Sequence, residues 1–145
     1  MKALIQRVKS ASVTISGALY SEINFGLLIL VGVTKDDTSE NAENLAQKVL
    51  KLRIFEDEND KMNLSVTDKQ GDILVVSQFT LCGNCKKGTR PSFDEAARPE
   101  VAVKLYEEFV EKLKASGLNI KTGKFQTTMD VALVNDGPVT FMVEK

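Results

Sequence analysis

The sequence predicts a mixed α+β fold: a largely antiparallel sheet, curled and barrel-like, packed with two main helices in a single domain over residues 1–145. Three observations carry that expectation. The runs at residues 27–33 and 73–76 are apolar almost without interruption and rich in β-formers, as strands buried on both faces are. Two segments, one after Asp37 and one after Pro99, repeat apolar residues at helical spacing. No internal repeat, low-complexity tract or linker divides the chain, and 145 residues fit the usual domain size of about 100–150.

In chain order, residues 3–8 read as a strand. Residues 12–16 alternate with period 2 and stop at Gly17, the signature of a hairpin. Residues 27–33 form a central strand. Asp37 with Glu40 predicts a capping box, and Ala42, Leu45, Ala46, Val49 and Leu52 share one face of the helix behind it. Residues 53–55 return to strand, and residues 57–60 are a turn. The oxygens of that turn lack the spacing and the glycine of a calcium loop. Residues 73–76 form a second buried strand that runs into Ser77, Gln78, Phe79, Thr80 and Leu81. Pro99 suits the first turn of a helix reaching about Ala115, with Ala102, Leu105, Phe109 and Leu113 inward and Gly117 as its stop. Residues 131–134 and 139–143 are the last strands, and they flank a Gly137-Pro138 step.

Composition narrows the function. Nineteen Lys and Arg against twenty Asp and Glu leave a formal net charge of −1, so there is no overall electrostatic footprint for nucleic acid. No apolar run approaches the ~18 residues of a membrane helix, and the early strand leaves no room for a signal peptide. With two cysteines and no export signal, the expected setting is a reduced, cytoplasmic one. The chain contains no histidine, which excludes Ser-His-Asp and Cys-His machinery and imidazole metal sites within one chain. No metal and no cofactor is expected.

Four constellations remain. Cys82-Gly83-Asn84-Cys85 has redox or half-zinc spacing, but zinc would need further thiolate or imidazole ligands, and the residues that follow read as a loop rather than a helix start. Lys86, Lys87 and Arg90 make that loop the most basic stretch of the chain: either a solvated loop or a contact to the phosphates of a nucleic acid. Ser77, Gln78, Phe79 and Thr80 end a buried strand with two hydroxyls and an amide. They read either as a satisfied strand end or as a pocket floor whose backbone N–H groups hold an oxyanion. The Gly137-Pro138 step reads as a tight hairpin turn, or as a place where two carbonyls are aimed in one direction. An X-Pro bond takes the cis form at only about 0.5–1 kcal/mol.

Taken together, the Ser77-Gln78-Phe79-Thr80-Leu81 and Asn135-Asp136-Gly137-Pro138-Val139-Thr140 motifs resemble the two signatures of the D-aminoacyl-tRNA deacylases. The resemblance spans essentially the whole chain. It takes in Gln6-Arg7-Val8, Leu52-Arg53-Ile54-Phe55, Lys61-Met62-Asn63, the stretch from Lys87 to Phe93, and Leu105-Tyr106-Glu107. Ser77 with Phe79 favours the D-specific enzymes over a related class whose motif differs. The resemblance implies hydrolysis of the ester of D-aminoacyl-tRNA, with glycyl-tRNA also accepted, by a homodimer whose sites lie at the subunit interface. It further implies a cis Gly137-Pro138 bond inserted into the partner's pocket, where its carbonyls leave no room for an L side chain. Asn135, Val139 and Met129 belong to that selecting surface, and Arg7 either orients it or is a surface strand arginine. Ser77, Gln78, Phe79 and Thr80 would receive the terminal adenosine and the ester. Attack by Thr80 and water assisted by the RNA 2′-hydroxyl both stay open, with the lack of histidine favouring the second. One departure stands out: Phe125-Gln126-Thr127-Thr128-Met129 replaces the family's Phe-Gly-Ala-x-Met.

Two readings of other classes compete with this one. A non-catalytic RNA-binding module would use Lys86 to Arg90, and a thiol oxidoreductase would use Cys82 and Cys85.

Overall fold

The computed structural model describes residues 1–145. The chain runs β1 (Lys2–Ile15), β2 (Ala18–Ile23), β3 (Gly26–Gly32), α1 (Ser39–Lys51), β4 (Phe55–Glu56), β5 (Met62–Leu64) and β6 (Asp72–Ser77). A 3₁₀ turn (Phe79–Cys82), α2 (Pro99–Lys114), β7 (Ile120–Thr122) and β8 (Asp130–Glu144) follow. Six strands make one sheet in the order β2-β1-β3-β6-β7, with β8 on the other side of β1. β1 is antiparallel to β2, β3 and β8, whereas β3–β6 and β6–β7 are parallel. The sheet curls until Ser21 of β2 donates to the carbonyl of Thr122, the last residue of β7, at 2.8 Å, so the barrel nearly closes. The expected architecture of a curled sheet with two helices is therefore present.

Both apolar strands are buried on two faces, as their composition requires. Leu27, Ile29 and Val31 of β3, with Ile73 and Val75 of β6, pack toward the helices. Leu28, Leu74 and Val76 point the other way, into a smaller cluster with Val8, Ala11, Val13 and Ile23 inside the curl. Ala42, Leu45, Ala46 and Val49 of α1 and Leu105, Tyr106, Phe109, Val110 and Leu113 of α2 cover the first face. The β1–β2 hairpin turns on Ser16 and Gly17, both at positive φ (51° and 80°), the type I′ geometry that matches strand twist.

Three local expectations are corrected. The capping box of α1 is Thr38 with Asn41, not Asp37 with Glu40: Asn41 Oδ1 accepts from Thr38 N and Oγ1, each at 2.8 Å. Asp37 is occupied elsewhere, taking the Thr34 N–H at 2.6 Å and the Met1 ammonium. Thr38→Ala is therefore expected to lower stability by about 1 kcal/mol, whereas Glu40→Gln stays within about 0.5 kcal/mol, as urea titrations would read. The strand foreseen at residues 53–55 is instead Phe55–Glu56, because the carbonyl of Ile54 is taken by the Arg7 side chain. Finally, Gly137-Pro138 does not separate two strands. It lies within one fifteen-residue strand, β8.

That strand carries the step as an arch. Asn135 stands opposite Val8 and Thr140 opposite Gln6, so β8 takes five steps where β1 takes two. The surplus is absorbed at residues 136–139. No hairpin forms, since both flanks of the step pair with the same strand.

Candidate active site

β6 delivers the first group of candidate residues. The Gln78 N–H donates to the Val31 carbonyl at 2.7 Å, extending the parallel pairing one residue past Ser77 before the chain tightens into the 3₁₀ turn. Ser77, Gln78 and Phe79 thereby border a cavity of about 630 Å³. Its opposite wall is the loop at residues 125–129 with Met129, and its far end is made small by Ala96, Ala97, Pro99 and Ala102. Thr80 sits one residue beyond this lining, exposed, with its Oγ1 accepting from Gln78 Nε2 at 2.5 Å. Phe79 is 57% exposed and braced edge-on by Phe93, ring centroids 5.0 Å apart.

The second group surrounds the arch. Arg7 on β1 is only 4% exposed. Its Nη1 donates to Ile54 O at 2.8 Å and its Nε to Asp136 O at 3.2 Å. The Asp136 carboxylate lies 3.1 Å from Nε, Glu56 approaches Nη2 at 3.4 Å, and the Phe55 ring lies 5.9 Å from the guanidinium carbon. The reading of Arg7 as a surface strand arginine is overturned by that burial. From the other side, Asn135 Oδ1 accepts the Val139 N–H at 2.9 Å while its Nδ2 donates to Thr140 Oγ1 at 2.9 Å. Val139 is buried in the main core, so the arch is anchored at its base. Gly137, at φ +126° and joined to Pro138 by a cis bond, is exposed at the tip, as Pro138 is.

The structure thus brings the candidates together in two sets. Ser77, Gln78, Phe79 and Met129 share the cavity, with Thr80 at its margin. Arg7, Asn135, Gly137, Pro138 and Val139 form the arch, and none of these five lines the cavity. Lys86, Lys87 and Arg90 stand apart from both, all exposed on a loop tied by the Asn84–Ser92 bridge. Lys86 borders a second, more polar recess of about 580 Å³ with Lys2, Cys82, Cys85 and Glu95.

The thiols are poorly suited to redox work. Cys82 is buried with its Sγ against the Val33 carbonyl at 3.4 Å, and burial pushes its thiol pKa up, away from the thiolate that such chemistry needs. Cys82 and Cys85 are both free. Sequence reasoning missed Glu56 and the Ile54 carbonyl as partners of Arg7, and the small-residue end of the cavity. All of these are assembled by tertiary contact and carry no motif. Gln126 was marked only as a departure; it lines the cavity wall at φ +52°, a left-handed backbone that glycine adopts more readily.

This curled sheet has close counterparts among known proteins. The family model described as D-Tyr-tRNA(Tyr) deacylase matches residues 4–144, and the chain belongs to that family. The family is one of hydrolases, and the chain is an enzyme of that class. A protein of Exiguobacterium sp. (strain ATCC BAA-1283 / AT1b) is 57% identical over 145 residues, covering 100% of this chain and 99% of its own length. One of Clostridioides difficile (strain 630) is 56% identical, covering 99% of this chain and 97% of its own. Both bear the name D-aminoacyl-tRNA deacylase. Among solved structures, one named c-Myc DNA Unwinding Element Binding Protein superposes with a TM-score of 0.94 at 45% identity, over 100% of this chain and 99% of that one. A probable eukaryotic D-amino acid tRNA deacylase, at 18% identity and a TM-score of 0.87 over 99% of this chain and 98% of that one, shares the fold.

Proposed function

We propose that the chain hydrolyses the ester of D-aminoacyl-tRNA in the cytoplasm, releasing the D-amino acid and free tRNA, and that two copies complete each site. The observation that carries this reading is the division of the motif residues into a cavity and an exposed, braced arch that does not line it. A second copy would bring its arch to the first copy's cavity. Support for a second copy comes from β8, which pairs with β1 alone and leaves its outer edge unpaired over fifteen residues. An open edge of that length is ordinarily covered. Val134, Phe141 and Met142, all exposed on the same strand, would gain from burial.

In this reading the cavity receives the terminal adenosine and the ester, and the N–H groups that open the 3₁₀ turn stabilise the carbonyl oxygen as it becomes anionic. Thr80 accepts a hydrogen bond from the Gln78 amide, which provides no base to take its proton. Its hydroxyl is therefore a donor to the substrate rather than a nucleophile. Water, oriented by the ribose 2′-hydroxyl, adds to the carbonyl carbon. The bond to ribose O3′ then breaks, and O3′ leaves with a proton. The partner's Gly137 and Pro138 carbonyls face the substrate's α-carbon and exclude an L side chain, while glycine, lacking one, enters. Lys86, Lys87 and Arg90 contact tRNA phosphates.

The test is release of tyrosine from D-Tyr-tRNA and L-Tyr-tRNA by the purified protein. The D ester is expected to react at least about a hundredfold faster, a difference of ~2.7 kcal/mol in transition-state stabilisation. Equal rates would remove the chiral selector, and binding without turnover would leave an RNA-binding module.

A further inference from the structure

Tyr106 is buried on α2 and belongs to neither set of motif residues. Its hydroxyl donates to the Val75 carbonyl at 2.9 Å, and the same oxygen accepts the Gly123 N–H, also at 2.9 Å. Gly123 is the residue that follows β7 and opens the loop whose continuation, residues 125–129, walls the cavity. The Tyr106 ring also meets that loop directly, its centroid 6.0 Å from that of Phe125. Burial pushes the phenol pKa up, so the group is a neutral donor throughout the physiological range. The loop is closed on itself by Met129, whose sulfur accepts the Lys124 N–H at 3.3 Å and fits so closely over Gly123 that a Cβ there would stand 2.8 Å from it. Within it Gln126 holds a left-handed backbone that an L side chain disfavours. A loop holding such a residue keeps its shape through its anchors, and Tyr106 bears on two of them: its ring packs on Phe125, and its hydroxyl shares and holds the Val75 carbonyl that receives the Gly123 N–H.

We propose that Tyr106 is a positioning residue for substrate binding: its hydroxyl on the Val75 carbonyl and its ring on Phe125 fix the loop at residues 123–129, and so the width of the cavity for the tRNA's terminal nucleoside. The inference rests on the cavity being the substrate site. Tyr106 touches no substrate and acts through the Val75 carbonyl, which it shares with Gly123, and through Phe125.

Tyr106→Phe keeps the ring and removes the donor. The comparison variant is Phe109→Leu, which loosens the same buried face of α2 at a residue that makes no ring pair with Phe125. Both are assayed on D-Tyr-tRNA at a temperature where circular dichroism shows them folded. Tyr106→Phe is expected to raise KM about fivefold with kcat within about twofold of the parent, and Phe109→Leu to leave KM at the parent value. Hydrogen exchange is expected to quicken in the peptide spanning residues 123–129 of Tyr106→Phe only. An unchanged KM, or the same KM change in both variants, would overturn the role assigned to Tyr106. Unchanged exchange in that peptide would do so independently of activity. Failure of the functional reading is separate, since it shows as the parent protein not turning over the ester.

Discussion

Gly137→Ala is expected to lower kcat/KM on D-aminoacyl-tRNA by about a hundredfold while the protein remains folded, a displacement of about 1 Å at a reacting centre being worth that much. A Cβ at this position would lie 2.7 Å from Val139 Cγ2, 3.1 Å from Val139 N and 3.2 Å from Arg7 Nη2. None of these neighbours yields easily. Val139 is buried and its N–H is held by Asn135, while the guanidinium is fixed by Ile54, Glu56 and Asp136. The backbone adds its own objection, because φ of +126° is territory that an L side chain seldom enters, at about 1–3 kcal/mol. The arch must move. Because Gly137 and Pro138 are exposed, the tip can shift outward and relieve the clash without opening the core, so thermal melting should show only a modest loss. Parent-like kcat/KM and parent-like rejection of L-Tyr-tRNA in the alanine variant would refute the assignment of the arch to the site.

Arg7→Ala is expected to cost the fold more. The side chain bridges three segments distant in sequence: β1, the approach to β4, and the arch of β8. Without it the Ile54 carbonyl loses its donor, and the Asp136 carboxylate, a quarter exposed, loses its cation. Breaking a fully buried pair costs about 3–5 kcal/mol, and the partial exposure of Asp136 and Glu56 lowers the expectation to about 2–4 kcal/mol. Arg7→Lys restores the charge but not the fork that serves two carbonyls and two carboxylates, so it should recover only part of the loss. Urea unfolding of the two variants measures this directly. A loss under about 1 kcal/mol for Arg7→Ala would show that the arch stands without its buried cation.

Much of this was legible in the chain. The doubly apolar runs at 27–33 and 73–76 had to be central strands, and each sends alternate residues into a different cluster. The helical stripes were equally plain, since Leu45 with Val49 and Leu105 with Phe109 recur at the spacing of one face. Less was visible where structure depends on distant partners. The step at Gly137 looked like a turn because three surplus residues break the period-2 pattern of β8, and only the register against β1 shows the strand continuing. The cap at Thr38 was displaced by one residue because Asp37, a good cap by type, is drawn away by Met1 and Thr34. Arg7 gave no sign of burial, since its partners come from residues 54, 56 and 136. The motif pair marked both the cavity and the arch, and the resemblance already implied that the step of one chain serves the pocket of another, in keeping with an arch that does not line its own chain's cavity.

If the arch selects the substrate as proposed, its build has an evolutionary consequence. Its tip is a glycine and an imino acid, and its shape is set from behind by Arg7, Asn135 and Val139. An ordinary pocket wall changes its reach by a methyl group at a time, so its preference drifts as sequences diverge. Here the tip offers no free side chain to lengthen or trim, only a glycine and a proline ring closed on the backbone. Substitutions either leave the contour intact or collapse it, and a selectivity resting on such a contour is inherited whole or lost, without intermediate forms for selection to explore.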